Sequence, residues 1–176
     1  MYQTLPGNPR LRLAAADPST PAERLRELPT PAQLHGRFRQ LKTICARLGV
    51  PMTAVVVRLE ALDRMREELG GGAALRSLVA AADRLATSTR EGDELGRWSD
   101  DELGLLCPGA TPEALRELTS ALAATLEQVR VRHELQDGIQ ITLPLRVELS
   151  LVHDLGEEPQ SEEDELPPPL RHLHVA

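Results

Sequence analysis

Three consecutive acids, Asp100, Asp101 and Glu102, lie in the stretch Arg90–Leu103, which reads Arg-Glu-Gly-Asp-Glu-Leu-Gly-Arg-Trp-Ser-Asp-Asp-Glu-Leu. Carboxylates that close repel one another, so the cluster marks either a held cation or the remnant of a site that once held one. Just upstream, Arg90-Glu91-Gly92-Asp93 sets a guanidinium and a carboxylate three residues apart. An arginine fork can donate to a phosphate or a guanine edge, and a carboxylate can accept from guanine N–H groups. The same pair could instead complement a helix C-terminus and shape a turn. The other reactive side chains carry less. Cys45 and Cys107 lack any partner spacing and read as buried, inert thiols of a reducing cytoplasm. His172 and His174 would point to opposite faces of an extended segment with no second ligand in sight, so no metal site is expected there.

These residues need a frame. Asp93–Trp98 and Glu102–Cys107 read as two strands joined by a tight turn at Ser99-Asp100-Asp101, because Ser and Asp side chains hydrogen-bond their own backbone in turns. Before them, Thr30-Pro31 opens a helix to about Leu48, with Leu34, Phe38, Leu41, Cys45 and Leu48 recurring at spacings of three and four. Thr53–Leu59 is a β-branched run fit for a buried strand. Ala61–Leu69 reads as a helix stopped by Gly70-Gly71-Gly72, and Ala73–Thr89 as a longer one. Thr111-Pro112 starts a helix to about Val131, and Gln140–Leu143 and Leu145–Val152 read as strands separated by Pro144. The expected fold class is α+β, a central sheet with helices on both faces and the hairpin at one sheet edge.

Bulk properties set outer bounds. The 176 residues suffice for one domain with a full core and short appendages. With only Tyr2, Phe38 and Trp98 as aromatics, that core must be built from Leu, Val and Ala. No apolar run is long enough for a membrane span or a signal peptide, which points to a cytoplasmic chain. No basic stripe interleaves with aromatics, so nucleic acid is not an expected partner. From Asp154 onward seven acids face Arg171, a balance of −6 within the total of −7.

The hairpin and the elements around it resemble the diguanylate cyclase (GGDEF) domains of bacterial cyclic di-GMP signalling. Their hairpin carries Arg-Tyr-Gly-Gly-Asp-Glu-Phe; here the stretch reads Arg97-Trp98-Ser99-Asp100-Asp101-Glu102-Leu103. The resemblance covers roughly Pro29–Asp154 and implies the nucleotide-cyclase-like sheet. It also implies where an active site would be, and this sequence departs from it. In the family, two divalent cations sit between a carboxylate of a first-strand Asp-x-Asp motif and the acid at the third signature position, neutralising a triphosphate and activating a ribose hydroxyl. The aligned stretch here is Arg58-Leu59-Glu60-Ala61-Leu62-Asp63. Arg58 replaces the first metal carboxylate, and a permanent cation cannot ligate Mg²⁺. The guanine-binding Asn eight residues on aligns with Arg66, and the guanine-binding Asp of the following helix with Leu75. Both signature glycines, which let the backbone approach the triphosphate, have become Ser99 and Asp100. Of the signature acids, Asp101 and Glu102 remain.

These departures predict a chain with no diguanylate cyclase activity, no cofactor and no bound metal. Asp101 and Glu102 read either as solvated turn residues or as partners of Arg58, lying across the sheet from Asp101 with its guanidinium in the metal's place. Arg90 and Asp93 match the family's Arg-x-x-Asp, which in relatives binds cyclic di-GMP as an inhibitory site six residues before the signature. The expected function is therefore that of a receptor or adaptor binding cyclic di-GMP at Arg90 and Asp93 together with a protein partner. The alternatives are an interaction module that binds no nucleotide and, least favoured, an active cyclase.

Three segments divide the chain: residues 1–29, 30–155 and 156–176. The first is proline-rich, with a short helix expected over Pro21–Leu28 behind a Thr20 cap, and Asn8–Leu28 also resembles one unit of the variant leucine-rich repeat. One such unit cannot bury its own face, so a cap docked on the main domain is expected. The last carries six acids between Glu157 and Glu165, then Pro167-Pro168-Pro169, a composition expected to stay disordered. Truncation after Gly156 should leave the melting temperature nearly unchanged in a thermal melt. A fall of many degrees would show that Leu170–Val175 belongs to the core.

Overall fold

The centre of the molecule is β1, Met52–Leu59, buried along its whole length except at Arg58. Its run of Ala and Val suits a strand covered on both faces. In the computed structural model, which describes residues 20–135 and 137–155, β1 pairs antiparallel with β3 (Glu102–Pro108) on one side and β6 (Val147–Val152) on the other. β2 (Glu94–Arg97) continues the sheet beyond β3, giving the order β2-β3-β1-β6 with the hairpin at one edge, as the sequence predicts.

Alternate residues of β1 feed two cores. On one face Ala54, Met52 and Leu106 meet Leu34, Phe38, Leu41 and Cys45 of helix α2 (Pro31–Leu48). On the other, Val55, Val57, Leu103 and Leu105 meet helices α4 (Gly71–Ser88) and α5 (Pro112–Glu127), together with α3 (Leu62–Leu69) and α1 (Pro21–Glu27). Burying a side chain the size of Leu or Phe contributes roughly 1.5–3 kcal/mol, so these two stripes supply most of the driving force. Three of the helices start from a Thr-Pro pair. Thr20, Thr30 and Thr111 each accept a hydrogen bond from the backbone of the first turn, and Pro fills the first helical position. The short α1 docks through buried Leu25 and Leu28 and an Arg24–Asp83 ion pair of 2.5 Å to α4. The stretch from Asn8 to Ser19 of the repeat-like unit and the acidic tail, residues 156–176, lie outside the described residues.

The linker between α1 and α2 lies against the hairpin. The Arg97 amide donates to the Pro29 carbonyl at 2.9 Å. Gly96 and Gly104 face each other across the β2–β3 ladder, and both must be glycine for packing reasons. A Cβ on Gly104 would stand 2.8 Å from Leu34 Cδ2 and from Trp98 Cε3, and one on Gly96 would stand 2.9 Å from Leu34 Cδ1. Leu34 thus seats directly on the hairpin backbone.

Three expectations need correction. The glycine run does not stop α3 as a block: Gly71 and Gly72 are the first residues of α4, and Gly70 alone, at φ +84°, breaks the chain. Glycine is tolerated there because the first amides of a helix have no intrahelical partner to lose. Helix α5 ends at Glu127 rather than near Val131, because Val131 and His133 alternate with exposed Arg130, Arg132 and Glu134 in strand β4, Arg130–Glu134. This strand, absent from the expected order, pairs with β5 (Gln140–Pro144) in a separate two-stranded sheet. The last strand begins at Val147, since Leu145 turns inward and is buried.

His133 is the most unusual buried group. It is 2% exposed, and neither ring nitrogen has a hydrogen-bond partner among the described residues. Burial lowers its pKa from the ordinary value, and the charge of Arg76 on α4 lowers it further. The folded state therefore holds His133 neutral, while the unfolded chain protonates it near pH 6.5. Stability from this source is complete above that value and is lost as pH falls from it toward the depressed folded pKa. Urea titrations from pH 7.5 down to 5.5 should show stability falling in the wild type and falling less in His133→Leu. Parallel curves for the two proteins would remove His133 as the cause.

Candidate functional site

The hairpin turn is built from its own side chains. The Trp98 and Ser99 amides donate to the Glu102 carbonyl at 2.8 and 3.3 Å. Ser99 Oγ donates to Glu102 Oε2 at 3.1 Å and accepts from the Asp101 amide at 3.3 Å. Serine at this position therefore ties down the loop. Trp98 closes one side of the turn, packing edge-on against His35 at 4.5 Å between ring centroids and against Phe38 at 6.1 Å. Asp100 projects outward and is exposed, whereas Leu103 turns into the core.

Two arginines meet the two remaining acids, in a pairing that differs from the expected one. Arg58 and Glu102 are opposite residues of the β1–β3 ladder, so their side chains leave the same face of the sheet. Arg58 Nε donates to Glu102 Oε1 at 2.8 Å and its Nη2 approaches the same oxygen at 2.7 Å. This bond and the charge of Glu102 raise the Arg58 pKa above its ordinary value. Asp101 instead pairs with Arg66, which reaches up from α3 and also holds Asp63 Oδ1 at 2.7 Å. Asp101 lies in the loop, beyond the ladder and nearer to α3, which is why Arg58 does not take it. Arg66, which the resemblance sets at a guanine-binding position, was not expected to carry this role. The Asp63-x-x-Arg66 spacing was the available signal, since residues three apart share a helix face.

The other positions implied by the resemblance are scattered. Glu60 is exposed just past β1, where its amide donates to the Arg146 carbonyl at 2.9 Å, and it lines an open cleft of about 400 Å³ with Glu127 and Pro144–Val147. Leu75 packs, partly buried, on the core below α4. Beside Glu60, Ala61 takes φ +57°, a left-handed conformation costly for a residue with a Cβ, to swing the chain into α3. Among the described residues no group of three or more His, Cys, Asp or Glu side chains could hold a metal ion.

Arg90 and Asp93 are together, and bonded to each other. Arg90 Nε donates to Asp93 Oδ1 at 3.0 Å and the Arg90 amide donates to Oδ2 at 3.3 Å. The Asp93 amide returns a bond of 3.2 Å to the Arg90 carbonyl, with Gly92 at φ +96° in the turn between them. The Asp93 side chain is 1% exposed, while that of Arg90 is 48% exposed and also reaches the Pro108 carbonyl at 3.4 Å. Hydrogen bonding to Asp93 holds the Arg90 guanidinium above its ordinary pKa. Below them Cys107 is fully buried, and burial, with the Asp93 charge adding, pushes its thiol up to about 12. It is inert at neutral pH.

A mixed sheet-and-helix domain with a signature hairpin of this geometry is the architecture of the nucleotide-cyclase class. Residues 24–161 match the family described as Diguanylate cyclase, GGDEF domain, and the chain belongs to that family. No curated protein matches it. Among solved structures it is similar to the diguanylate cyclase SiaD of Pseudomonas aeruginosa, solved with its activator SiaC, at 21% identity and a TM-score of 0.66 over 76% of this chain and 50% of that one. It is also similar to the GGDEF domain of FimX from the same organism, at 16% identity and 0.62 over 79% of each chain. The GGDEF domain of DgcB from Caulobacter crescentus, solved with cyclic di-GMP, gives 0.61 at 6% identity over 69% of this chain and 70% of that one. At these identities the likeness concerns the fold. The chain spans half the length of the SiaD structure.

The two charged clusters of this region differ in what they hold up. Asp93→Ala removes charge-assisted bonds from a buried acid, and each such bond contributes about 1.5–3 kcal/mol. Arg66→Ala removes two partly exposed ion pairs, to Asp101 and Asp63, each worth at most ~1 kcal/mol. Urea unfolding should rank Asp93→Ala as the more destabilised, and the reverse order would show that the hairpin turn, rather than the Arg90 turn, is the structural element.

Proposed function

We propose that this chain is a catalytically inactive GGDEF domain that works by binding. The observation that carries the reading is the pairing of Arg58 with Glu102 and of Arg66 with Asp101. Acids that would be free to take divalent cations are already neutralised by guanidinium groups, which repel a metal and leave no divalent cation to bridge a triphosphate. Asp100 adds a further negative charge on the outer side of the turn. The role left to the domain is that of an adaptor in cyclic di-GMP signalling, contacting a protein partner through its surface. The SiaD structure, solved with a protein activator, is consistent with such use of the fold.

A second reading is supported by one further observation. Asp93 is spent on orienting Arg90, yet about half of the Arg90 side chain remains open to a ligand. In this arrangement Arg90 is the residue that would touch cyclic di-GMP, and Asp93 positions it. The DgcB domain, solved with that nucleotide, shows the fold accepting it in a relative.

Incubation with GTP and Mg²⁺ or Mn²⁺ should yield no cyclic di-GMP. Turnover that disappears in Asp101→Ala would overturn the inactive reading, and turnover that survives it would expose a contaminant. Calorimetry with cyclic di-GMP tests the second reading separately. Loss of one charge-assisted contact in Arg90→Ala should weaken binding roughly tenfold to a hundredfold. No heat from the wild type at high micromolar nucleotide leaves a protein-interaction module.

A further inference from the structure

The four-stranded sheet has two edges, and they are finished differently. At β2 the Pro29 carbonyl takes the Arg97 amide. At β6 no further strand follows among the described residues. Edge strands are commonly blunted by Lys, by Pro or by a bulge. β6 contains neither residue, and its pairing with β1 runs unbroken from Ala54 opposite Val152 to Leu59 opposite Val147. Its one charged residue, Glu148, stands opposite Arg58.

The alternation of the ladder identifies which backbone groups of β6 are free. The Glu60 amide donates to the Arg146 carbonyl, one step beyond the Leu59–Val147 pair. Hydrogen-bonded and non-hydrogen-bonded pairs alternate along an antiparallel ladder, so Arg146, Glu148, Ser150 and Val152 bond inward to β1. Val147, Leu149 and Leu151 then point their amides and carbonyls outward. The other side of the sheet agrees. Trp98 bonds to Glu102, so even-numbered residues of β3 serve β2, odd-numbered ones serve β1, and the even-numbered residues of β1 are left for β6. Among the described residues, none of the outward groups on Val147, Leu149 and Leu151 has a hydrogen-bond partner. The same three residues carry apolar side chains on one face of the strand. Val147 and Leu149 pack on the core, whereas Leu151 is 42% exposed.

We propose that this edge is the interface of a two-fold dimer, in which a second copy of the chain adds its β6 antiparallel to the first about an axis at Leu149. The strand is complementary to itself in that register. With Leu149 opposite the partner's Leu149 and Val147 opposite the partner's Leu151, every free amide and carbonyl of the three residues is paired. Exposed Leu151 is then covered by the partner's Val147. Glu148 falls opposite the partner's Ser150, whose hydroxyl can donate to it. An axis at Glu148 would set that acid against the partner's Glu148, and like charges directly opposite are destabilising. An axis at Ser150 would leave Val147 unpaired. The assembly also stops at two copies, because an isologous contact uses up the β6 edge of both and the outer strands that remain are β2, capped by Pro29. The inference concerns a different surface from the hairpin and stands whether or not the domain is a cyclase.

The test uses the full chain. Light scattering over a dilution series should give twice the chain mass for the wild type. Leu151→Lys, a charge placed on the exposed end of the edge, should give half that value. A wild type that is monomeric throughout overturns the proposal, and so does a Leu151→Lys protein that remains a dimer. Register is read with two single variants at exposed positions, Glu148→Cys and Ser150→Cys. Residues facing each other in a non-hydrogen-bonded pair have Cα atoms about 4.5 Å apart, within disulfide reach. The native thiols of Cys45 and Cys107 are buried. Mixed while reduced and then oxidised, the two variants should cross-link to each other several times faster than either links to itself. Equal rates, or no cross-link, place the contact elsewhere and overturn it.

Discussion

The ladder between β1 and β3 fixes where everything else can be. It runs unbroken from Met52 opposite Pro108 to Arg58 opposite Glu102, and a slip of one residue would exchange every inward and outward side chain. In register, Val55, Val57, Leu103 and Leu105 reach one core and Ala54 and Leu106 the other. The same register carries the only exposed residue of β1 to the rim of the sheet, against an acid of the signature turn. The core is therefore what sets the geometry of the site. An ion pair of exposed charges has no such authority over the backbone.

On the proposed reading, the rim of the sheet exchanges one kind of positive charge for another. A divalent cation draws several oxygens around itself and can accept a further ligand, which is what makes it catalytic. A guanidinium donates along a fixed plane and is saturated by the acids it meets. Arg58 and Arg66 thus neutralise the two acids of the turn. Their two acids are held in different ways, Glu102 through the sheet and Asp101 through α3, so the turn is anchored to two elements. Ser99 adds a third tie inside the loop.

Much of this was legible in the residues. Thr-Pro pairs marked the starts of α1, α2 and α5, the spacing of Leu34, Phe38, Leu41 and Cys45 marked the buried face of α2, and the Ser-Asp-Asp turn marked the hairpin. What was lost had physical causes. Strand β4 has only Val131 and His133 pointing inward, too short an alternation to separate from the helix before it. The glycines after α3 look alike in sequence, yet only Gly70 takes the conformation that breaks a helix. At the site, the partner of each arginine depended on whether its acid lay in the ladder or in the loop, a distinction of one residue between Glu102 and Asp101. The turn reading of Arg90 and Asp93 did not extend to their bonding to each other, and the near-complete burial of the Asp93 side chain required the sheet beneath it.

The bond from the Arg97 amide to the Pro29 carbonyl has a bearing on how the molecule behaves among its neighbours. β2 is one of the two edge strands of the sheet, and an edge strand with unpaired backbone groups is a template for another chain. Pro29 accepts from that strand, while as a proline it has no amide of its own to extend the ladder. The linker thus caps the sheet on its β2 side with a residue that cannot propagate it. A molecule in which Pro29 no longer accepts this bond would present an open strand, and self-association would be the first sign of the loss.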